Sequence, residues 1–383
     1  MLELLGKIWE AVPPFLVVLT VLVFVHELGH YLAARRCGIK VEVFSVGFGR
    51  ELFGWTDRAG TRWKLSMIPF GGYVKMFGEM QTYRDVPEHE SVLAARTPDE
   101  AATAFDTKSL AQRAFVVFAG PLANFLFAIV VLAIMFMSSG QPFTPSDIGK
   151  VQPGSAAERA GFKPGDLIVG VDGSRVERFE QVIRTVQMSP GTSLRFVVER
   201  DGKQVSLVAI PDVLDLKDRF GNPQRIGRLG VSRDGLDRKL VKHDPFTAVW
   251  RATTETYVLT ASIFSAIGQI IDGRRTTEEL GGPIRIAKMS GDIWKTGVVS
   301  LLMFAVVLSI NLGLINLFPV PMLDGGHLLF YGIEALRGRP LGVRAQEFGL
   351  RIGVAMVLGL MVFATWNDLV QLQVVDFFVN LVT

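Results

Sequence analysis

Long apolar runs alternate along this chain with stretches in which polar and apolar positions interleave. Four runs are close to twenty residues long and nearly free of charge: residues 15–34, 115–137, 298–317 and 352–370. About 20 apolar residues in a helix match the hydrocarbon thickness of a bilayer, so each run predicts a membrane-spanning helix. The fourth is the least clean, because Trp366, Asn367 and Asp368 crowd its end. Residues 40–75 follow a different pattern. Val41, Val43, Ser45-Val46-Gly47-Phe48-Gly49 and Trp63-Lys64-Leu65-Ser66-Met67-Ile68 predict strands, and Asp57-Arg58-Ala59-Gly60 predicts a hairpin turn. Pro69-Phe70-Gly71-Gly72-Tyr73-Val74 reads as an apolar, flexible loop dipping towards the membrane. Residues 79–106 read as a mobile polar loop in which His89 is solvated.

Between the second and third runs, residues 151–211 have the composition of a soluble domain. Pro153-Gly154-Ser155-Ala156-Ala157-Glu158-Arg159-Ala160-Gly161 predicts a turn and a one-turn helix. Residues 165–171 predict a strand that ends in the Asp172-Gly173 turn, and 179–188 have helical spacing. Residues 194–199 and 205–210 alternate around Asp201-Gly202, a strong hairpin signal. Beyond Pro211 the chain is charged and glycine-containing to Asp237, with Arg228-Leu229-Gly230-Val231-Ser232 as one short strand. Residues 245–271 regain helical spacing, with Trp250, Tyr257 and Phe264 among many Thr and Ser. This segment is too polar to span comfortably and is expected on the outer membrane face.

Composition agrees with a membrane protein. The 383 residues are 49% hydrophobic, with a mean hydropathy of +0.34. The net charge of +3 and pI near 9.0 bring no long Lys/Arg stripe, so no nucleic-acid surface is expected. A single cysteine, Cys37, excludes an internal disulfide framework. The N-terminal apolar run has Glu3 and Glu10 before it, no small-x-small cleavage site after it, and Arg35-Arg36 at its end. It is therefore expected to be a retained helix rather than a signal peptide. The links that follow spans one and three are rich in Lys and Arg, which places them in the cytoplasm and the long 141–297 region outside.

The first run contains the candidate chemistry, His26-Glu27-Leu28-Gly29-His30. Two histidines four apart on a helix differ by about 40° around its axis, so both imidazoles reach one Zn2+ from one face. Glu27 is then placed to take a proton from the attacking water. Ionisable groups inside a membrane-length apolar run are costly without a task. Catalytic zinc commonly takes three protein ligands. The third span runs into Asn316-Leu317-Phe318-Pro319-Val320-Pro321-Met322-Leu323-Asp324-Gly325-Gly326-His327, where two prolines stop the helix. Asp324 and His327 are the candidates for the third ligand, and both belong on the cytoplasmic side, as the histidine pair does. Asn124, within the second span, reads as helix-packing glue. The 40–75 sheet, beside a metal site, is suited to holding an extended peptide as an added strand.

Two resemblances sharpen the picture. Pro153 to Gly173 resembles a bacterial PDZ domain, a fold that can capture peptide ends by strand addition; a size filter is the alternative. The chain as a whole resembles the site-2 protease family of intramembrane zinc metalloproteases, closest to its bacterial regulator-of-sigma-E branch. HELGH, IPFGGYVKM, AGPLANF, GGPIRIAK and NLFPVPMLDGGH carry this likeness. The resemblance implies His26, His30 and Asp324 as zinc ligands and Glu27 as general base. It also implies Asn316, Gly47, Phe48, Gly49, Pro319 and Pro321 beside the substrate. One PDZ segment is found where well-studied relatives have two. The expected fold is a polytopic helical membrane protein of four spans, with a cytoplasmic β insert and an α+β PDZ domain. Its segments are 1–39 (first span), 40–114 (β insert and loop), 115–140 (second span), 141–212 (periplasmic PDZ domain), 213–297 (periplasmic linker and surface helix), 298–330 (third span) and 331–383 (link, fourth span and tail). The implied activity is cleavage of single-span membrane proteins, such as anti-sigma factors or remnant signal peptides, in a bacterial inner membrane. Membrane lipid and a peptide at the PDZ domain are the other expected partners. A membrane PDZ scaffold with structural zinc is the rival reading; the complete HExxH argues against it. A transporter is disfavoured because no inverted repeat is visible.

Overall fold

A computed structural model of the chain describes residues 2–79, 96–217, 223–232, 239–272 and 281–371. Two units emerge, residues 1–131 with 281–383, and residues 132–280. The first opens with helix α1 (Leu2–Arg36), whose last turn holds Arg35 and Arg36 against the negative end of the helix dipole. Strands β1 (Val41–Thr56) and β2 (Arg62–Met76) follow, joined by the expected turn, in which Asp57 accepts from the backbone nitrogens of Ala59 and Thr61.

Both strands are long and bend back on themselves. Residues 43–46 pair with 72–75 on one side and with 62–65 on the other, and 53–56 also pair with 62–65. Two strands thus make a curled sheet of four segments. The bends fall at Gly47, Gly49 and Gly71, with φ of +90°, +86° and +109°. Only glycine adopts this backbone freely, and a Cβ at Gly47 would meet the Ile68 carbonyl oxygen at 2.8 Å. Residues 69–74, expected as a loop, are therefore strand, their edge paired with β1. Phe44 stacks on Trp63 with ring centroids 4.2 Å apart, and Tyr31 of α1 meets both rings edge-on. Asp57 accepts from Trp63 Nε1 at 2.9 Å and from the Tyr31 hydroxyl, which fixes the sheet to the end of α1.

The described part of the expected loop over 79–106 includes a helix; residues 80–95, including His89, lie outside the described residues. Thr97 and Glu100 form a capping box that starts α2 (Pro98–Thr103), and Arg96 pairs with Asp106 at 2.8 Å in a buried setting. Helix α3 (Leu110–Ser138) starts earlier than the apolar run, behind a reciprocal Ser109–Gln112 cap. Pro121 consequently sits inside the helix rather than near its start.

The second unit begins with the last residues of α3. It continues through β3 (Gln141–Phe143), β4 (Lys150–Val151), α4 (Ala156–Ala160), β5 (Leu167–Val171), β6 (Ser174–Arg175), α5 (Phe179–Gln187), β7 (Leu194–Arg200) and β8 (Lys203–Ala209). An antiparallel sheet in the order β6-β5-β7-β8 covers a core of Ile148, Ile168, Val182, Phe196 and Val198. Asp172-Gly173 and Asp201-Gly202 each pair two positive φ values, as tight hairpin turns require. The element order is the one the PDZ resemblance leads one to expect. Hairpin β9 (Asp212–Lys217) and β10 (Pro223–Arg228) was not expected from the sequence. Residues 228–232 are not one strand either. Gly230, with φ +81°, separates β10 from β11 (Val231–Ser232), which pairs with β4.

Strand β12 (Lys239–Val241) pairs with β3, and the His243 amide donates to the Phe136 carbonyl at 3.2 Å. These bonds hold the start of α6 (Pro245–Ile271) at the end of α3. One face of α6 is tied to α5 by charge. Glu255 accepts from Arg184 at 2.6 Å and Arg178 at 3.1 Å, and Arg251 reaches Glu177 at 2.6 Å. Burial pushes the Glu255 carboxyl up, but Arg184 and Arg178 outweigh it and hold it below its ordinary value. On the outer face Phe246, Trp250, Tyr257, Phe264 and Ile271 are all more than half exposed.

The chain then returns to the first unit with α7 (Pro283–Trp294), α8 (Val298–Leu317), α9 (Asp324–Arg337) and α10 (Val343–Gln371). Helix α7 packs on α1, where a Cβ at Gly291 would lie 2.7 Å from Ala11 Cα. Buried Asp368, near the end of α10, caps α7 by accepting from the amides of Gly282 at 2.8 Å and Arg285 at 2.9 Å. Helix α9 occupies what the sequence presents as the end of span three and a link. Among the described residues, four helices are long and apolar enough to cross a membrane, within Glu10–Arg36, Leu110–Ser138, Val298–Leu317 and Arg344–Val370.

Candidate active site

His26 and His30 lie one turn apart on α1, with their Nε2 atoms 3.2 Å apart. Asp324, the first residue of α9, brings Oδ2 to 3.1 Å from His26 Nε2 and 3.5 Å from His30 Nε2. Nitrogen and oxygen ligands 2.0–2.1 Å from a tetrahedral zinc stand about 3.3 Å from one another, so this triangle fits one face of such an ion. A second observation agrees. Asp324 Oδ2 is buried and has no hydrogen-bond partner. Oxygen and nitrogen donors that converge while an anionic oxygen is left unanswered suit a cation. His327, the other candidate third ligand, lines the same cavity but is not in the converging group.

Broken backbone puts Asp324 in place. Pro319 and Pro321 end α8, and the chain turns through Val320 N to Phe318 O at 2.7 Å and Leu323 N to Val320 O at 3.0 Å. Met322 has φ +104°, a conformation costing roughly 1–3 kcal/mol in a non-glycine residue and tolerated where the surroundings enforce it. Gly325 and Gly326 let α9 start directly against this turn. A Cβ on Gly325 would overlap the carbonyls of Leu317 and Phe318, and one on Gly326 the Val320 carbonyl. Gly353 of α10 fits equally closely against the Pro321 carbonyl.

Regular helices hold the histidines. Gly29 lets α1 approach the Ala119 carbonyl of α3, and a Cβ at Gly120 would overlap the His30 imidazole. His30 Nδ1 lies 2.9 Å from the Val116 carbonyl. Asn124, expected as packing glue, is fully buried with its carboxamide 3.1 Å from His26 Nδ1. Glu27 is buried beside the triad, and β2 presses on it: a Cβ at Gly72 would lie 3.0 Å from Glu27 Cγ. Val116, Gly120 and Gly72 were not singled out from the sequence. The small residues of Ala119-Gly120-Pro121 were the available signal for a close helix approach.

A cavity of about 400 Å3 opens on the triad. Glu27, Asn316 and Phe48 line it, as does the 72–74 edge of the curled sheet. Gly47, Gly49, Pro319 and Pro321 do not; they shape the bends behind it. The far end holds a part-buried Arg113–Glu334 pair at 2.6 Å, with the guanidinium over the Tyr331 ring. Glu79 also lines the cavity. Burial raises its carboxyl above the ordinary value, against the pull of the Met76 amide.

The model of Peptidase family M50 matches residues 14–360. The Agrobacterium fabrum protein named "Putative zinc metalloprotease Atu1380" is 45% identical over 369 residues, covering 96% of this chain and 97% of that protein. Metalloprotease MmpA of Caulobacter vibrioides is 36% identical over 390 residues, covering 96% of this chain and 97% of its own. Among solved structures, the PDZ domain of an SdrC-like protein from Listeria innocua aligns with 25% of this chain and all of that one, at a TM-score of 0.20 and 15% identity. With its family match over most of the length and relatives that align end to end, the chain belongs to peptidase family M50, the zinc metalloproteases.

Proposed function

We propose that this M50 protease hydrolyses a peptide bond within the membrane-spanning segment of single-span proteins, as a step in regulated proteolysis of anti-sigma factors or remnant signal peptides. The observation that carries the proposal is the meeting of His26, His30 and Asp324 beside Glu27, in a cavity among helices long enough to span a bilayer. His26 Nε2, His30 Nε2 and Asp324 Oδ2 would hold the zinc, which when bound would supply Lewis-acid polarisation of the scissile carbonyl and of water. Glu27 takes the proton from the attacking water and returns it to the leaving amine.

A helical substrate hides its carbonyls in i→i−4 bonds and must open locally. The 72–76 segment, paired on only one side among the described residues, offers main-chain partners to such an extended stretch. Asn316 and Phe48, on the cavity wall, flank it. The exposed Leu52, Phe53, Trp55 and Met67 of the curled sheet suit contact with lipid. The basic links favour an active site near the cytoplasmic side of a bacterial inner membrane, with the 132–280 unit in the periplasm. There the outer face of α6 rests on the lipid surface and the PDZ domain meets the substrate's outer segment, as peptide binder or size filter.

Glu27→Gln tests the mechanism. Zinc content should stay at the wild-type level, while cleavage of a tethered membrane substrate falls by about 10²–10⁴-fold. Normal cleavage by that variant removes the proposal. The same variant, used as a trap in native membranes, should retain single-span proteins; recovery of soluble proteins alone would redirect the substrate class.

A further inference from the structure

Helix α3 touches both metal-site histidines on the nitrogen that faces away from the triad, at two positions eight residues apart. At His30 the partner is the Val116 carbonyl, 2.9 Å from Nδ1. A carbonyl only accepts, so Nδ1 carries the proton and Nε2 keeps its lone pair for a metal. At His26 the partner is the Asn124 carboxamide, whose Nδ2 lies 3.1 Å from Nδ1. Asn124 is fully buried, and its own backbone carbonyl accepts from the Ser309 hydroxyl at 2.9 Å, which anchors the residue between α3 and α8. Its side-chain oxygen is buried with no hydrogen-bond partner.

We propose that Asn124 is a positioning residue that sets the tautomer of His26: its amide oxygen accepts the Nδ1 proton, leaving Nε2 free to ligate. The two ends of a planar carboxamide exchange by a half-turn within nearly the same volume. With the nitrogen towards His26, the amide donates to Nδ1 and the ring proton must sit on Nε2. That atom lies 3.1 Å from Asp324 Oδ2 and 3.2 Å from His30 Nε2, so a proton there occupies the place of the metal. With the oxygen towards His26, ligation through Nε2 and the orphaned amide oxygen are satisfied together. Outer partners of this kind fix ring orientation and tautomer in metal sites. The inference rests on His26, His30 and Asp324 being the ligands.

The test is the zinc affinity of the full-length protein in detergent, by competition with a chromophoric chelator, for wild type, Asn124→Leu, Asn124→Asp and His26→Ala. Asn124→Leu should bind zinc about 10–100-fold more weakly. Asn124→Asp, an acceptor at both oxygens, should bind at least as tightly as wild type. A residue that merely packs helices gives the opposite order, because an apolar interior favours Leu over Asp; that order overturns the proposal. His26→Ala separates the two layers. If it keeps wild-type affinity, the ligand assignment itself fails. If it loses zinc while Asn124→Leu does not, only the role of Asn124 fails. Nitrogen NMR of labelled histidine in the zinc-free wild type decides the matter should a variant not fold: neutral His26 must carry its proton on Nδ1, and a proton on Nε2 overturns the proposal.

Discussion

Asp166 and Glu255 of the 132–280 unit and Asp324 of the other are carboxylates treated in opposite ways. In the 132–280 unit, Asp166 meets Arg200 through two bonds of 2.6 and 2.7 Å, and Glu255 meets both Arg178 and Arg184. Each negative charge there has a permanent cationic partner within the chain. In the other unit, Asp324 faces two imidazoles, and its Oδ2 has no hydrogen-bond partner. A buried charge without a partner is expensive and is relieved by pairing or by a bound metal. The contrast separates carboxylates that secure the fold from one placed where a cation could be held.

The comparison breaks most visibly at its unpaired member. Asp324→Ala should empty the site, with zinc absent by metal analysis and cleavage lower by about 10³-fold or more, as loss of several kcal/mol of transition-state stabilisation implies. Full metal occupancy in that variant would move the third ligand elsewhere. Next comes Gly120→Ala, whose added Cβ must displace the His30 imidazole. Zinc affinity should drop by about 10–100-fold, with the melting temperature changing far less than the affinity. In the other unit the expected effects are on stability alone. Glu255→Gln should destabilise the α5–α6 contact by about 1–3 kcal/mol, read by hydrogen exchange along α6, and leave zinc content untouched. The smallest effect is that of acid. The carboxyls of Asp166 and Glu255 are held below their ordinary values, by Arg200 and by the Arg184–Arg178 pair, both against burial. A depressed carboxyl stabilises the fold at pH values above its unfolded pKa and ceases to as pH falls through the folded one. Exchange protection of β5, β7 and α6 should therefore be flat above about pH 5 and decline below about pH 4. A decline on raising the pH would contradict both pairings.

Much of this could be read from the chain beforehand. The spans followed from length and hydropathy, because a bilayer imposes a minimum number of apolar residues on any crossing helix. The His26/His30 geometry followed from helical periodicity. The tight turns at Asp172-Gly173 and Asp201-Gly202 followed from side chains that tolerate positive φ. What stayed hidden depended on partners distant in sequence. Residues 69–74 read as a loop because glycines interrupt the alternation, yet they are strand, since 43–46 offer a paired edge. The β9–β10 hairpin was masked by its charges. Helix α9 is hard to read because Pro319 and Pro321 mark only the break before it; Asp324, Arg337 and Gly338 mark its first turn, last turn and cap. At the site, the residue types of the triad were legible, but its closure was not. Choosing between Asp324 and His327 needed the family resemblance, and the structure brings Asp324 rather than His327 into a converging group with His26 and His30.

The Asp368 cap carries a practical consequence for handling the protein. Residues 372–383 can be exchanged for an affinity tag or a fluorescent reporter without removing this carboxylate. A stop codon placed before position 368 would strip α7 of its N-terminal anion, and α7 is the helix packed along α1. Shortening the polypeptide to before Asp368 is thus expected to loosen support behind the helix that carries His26 and His30.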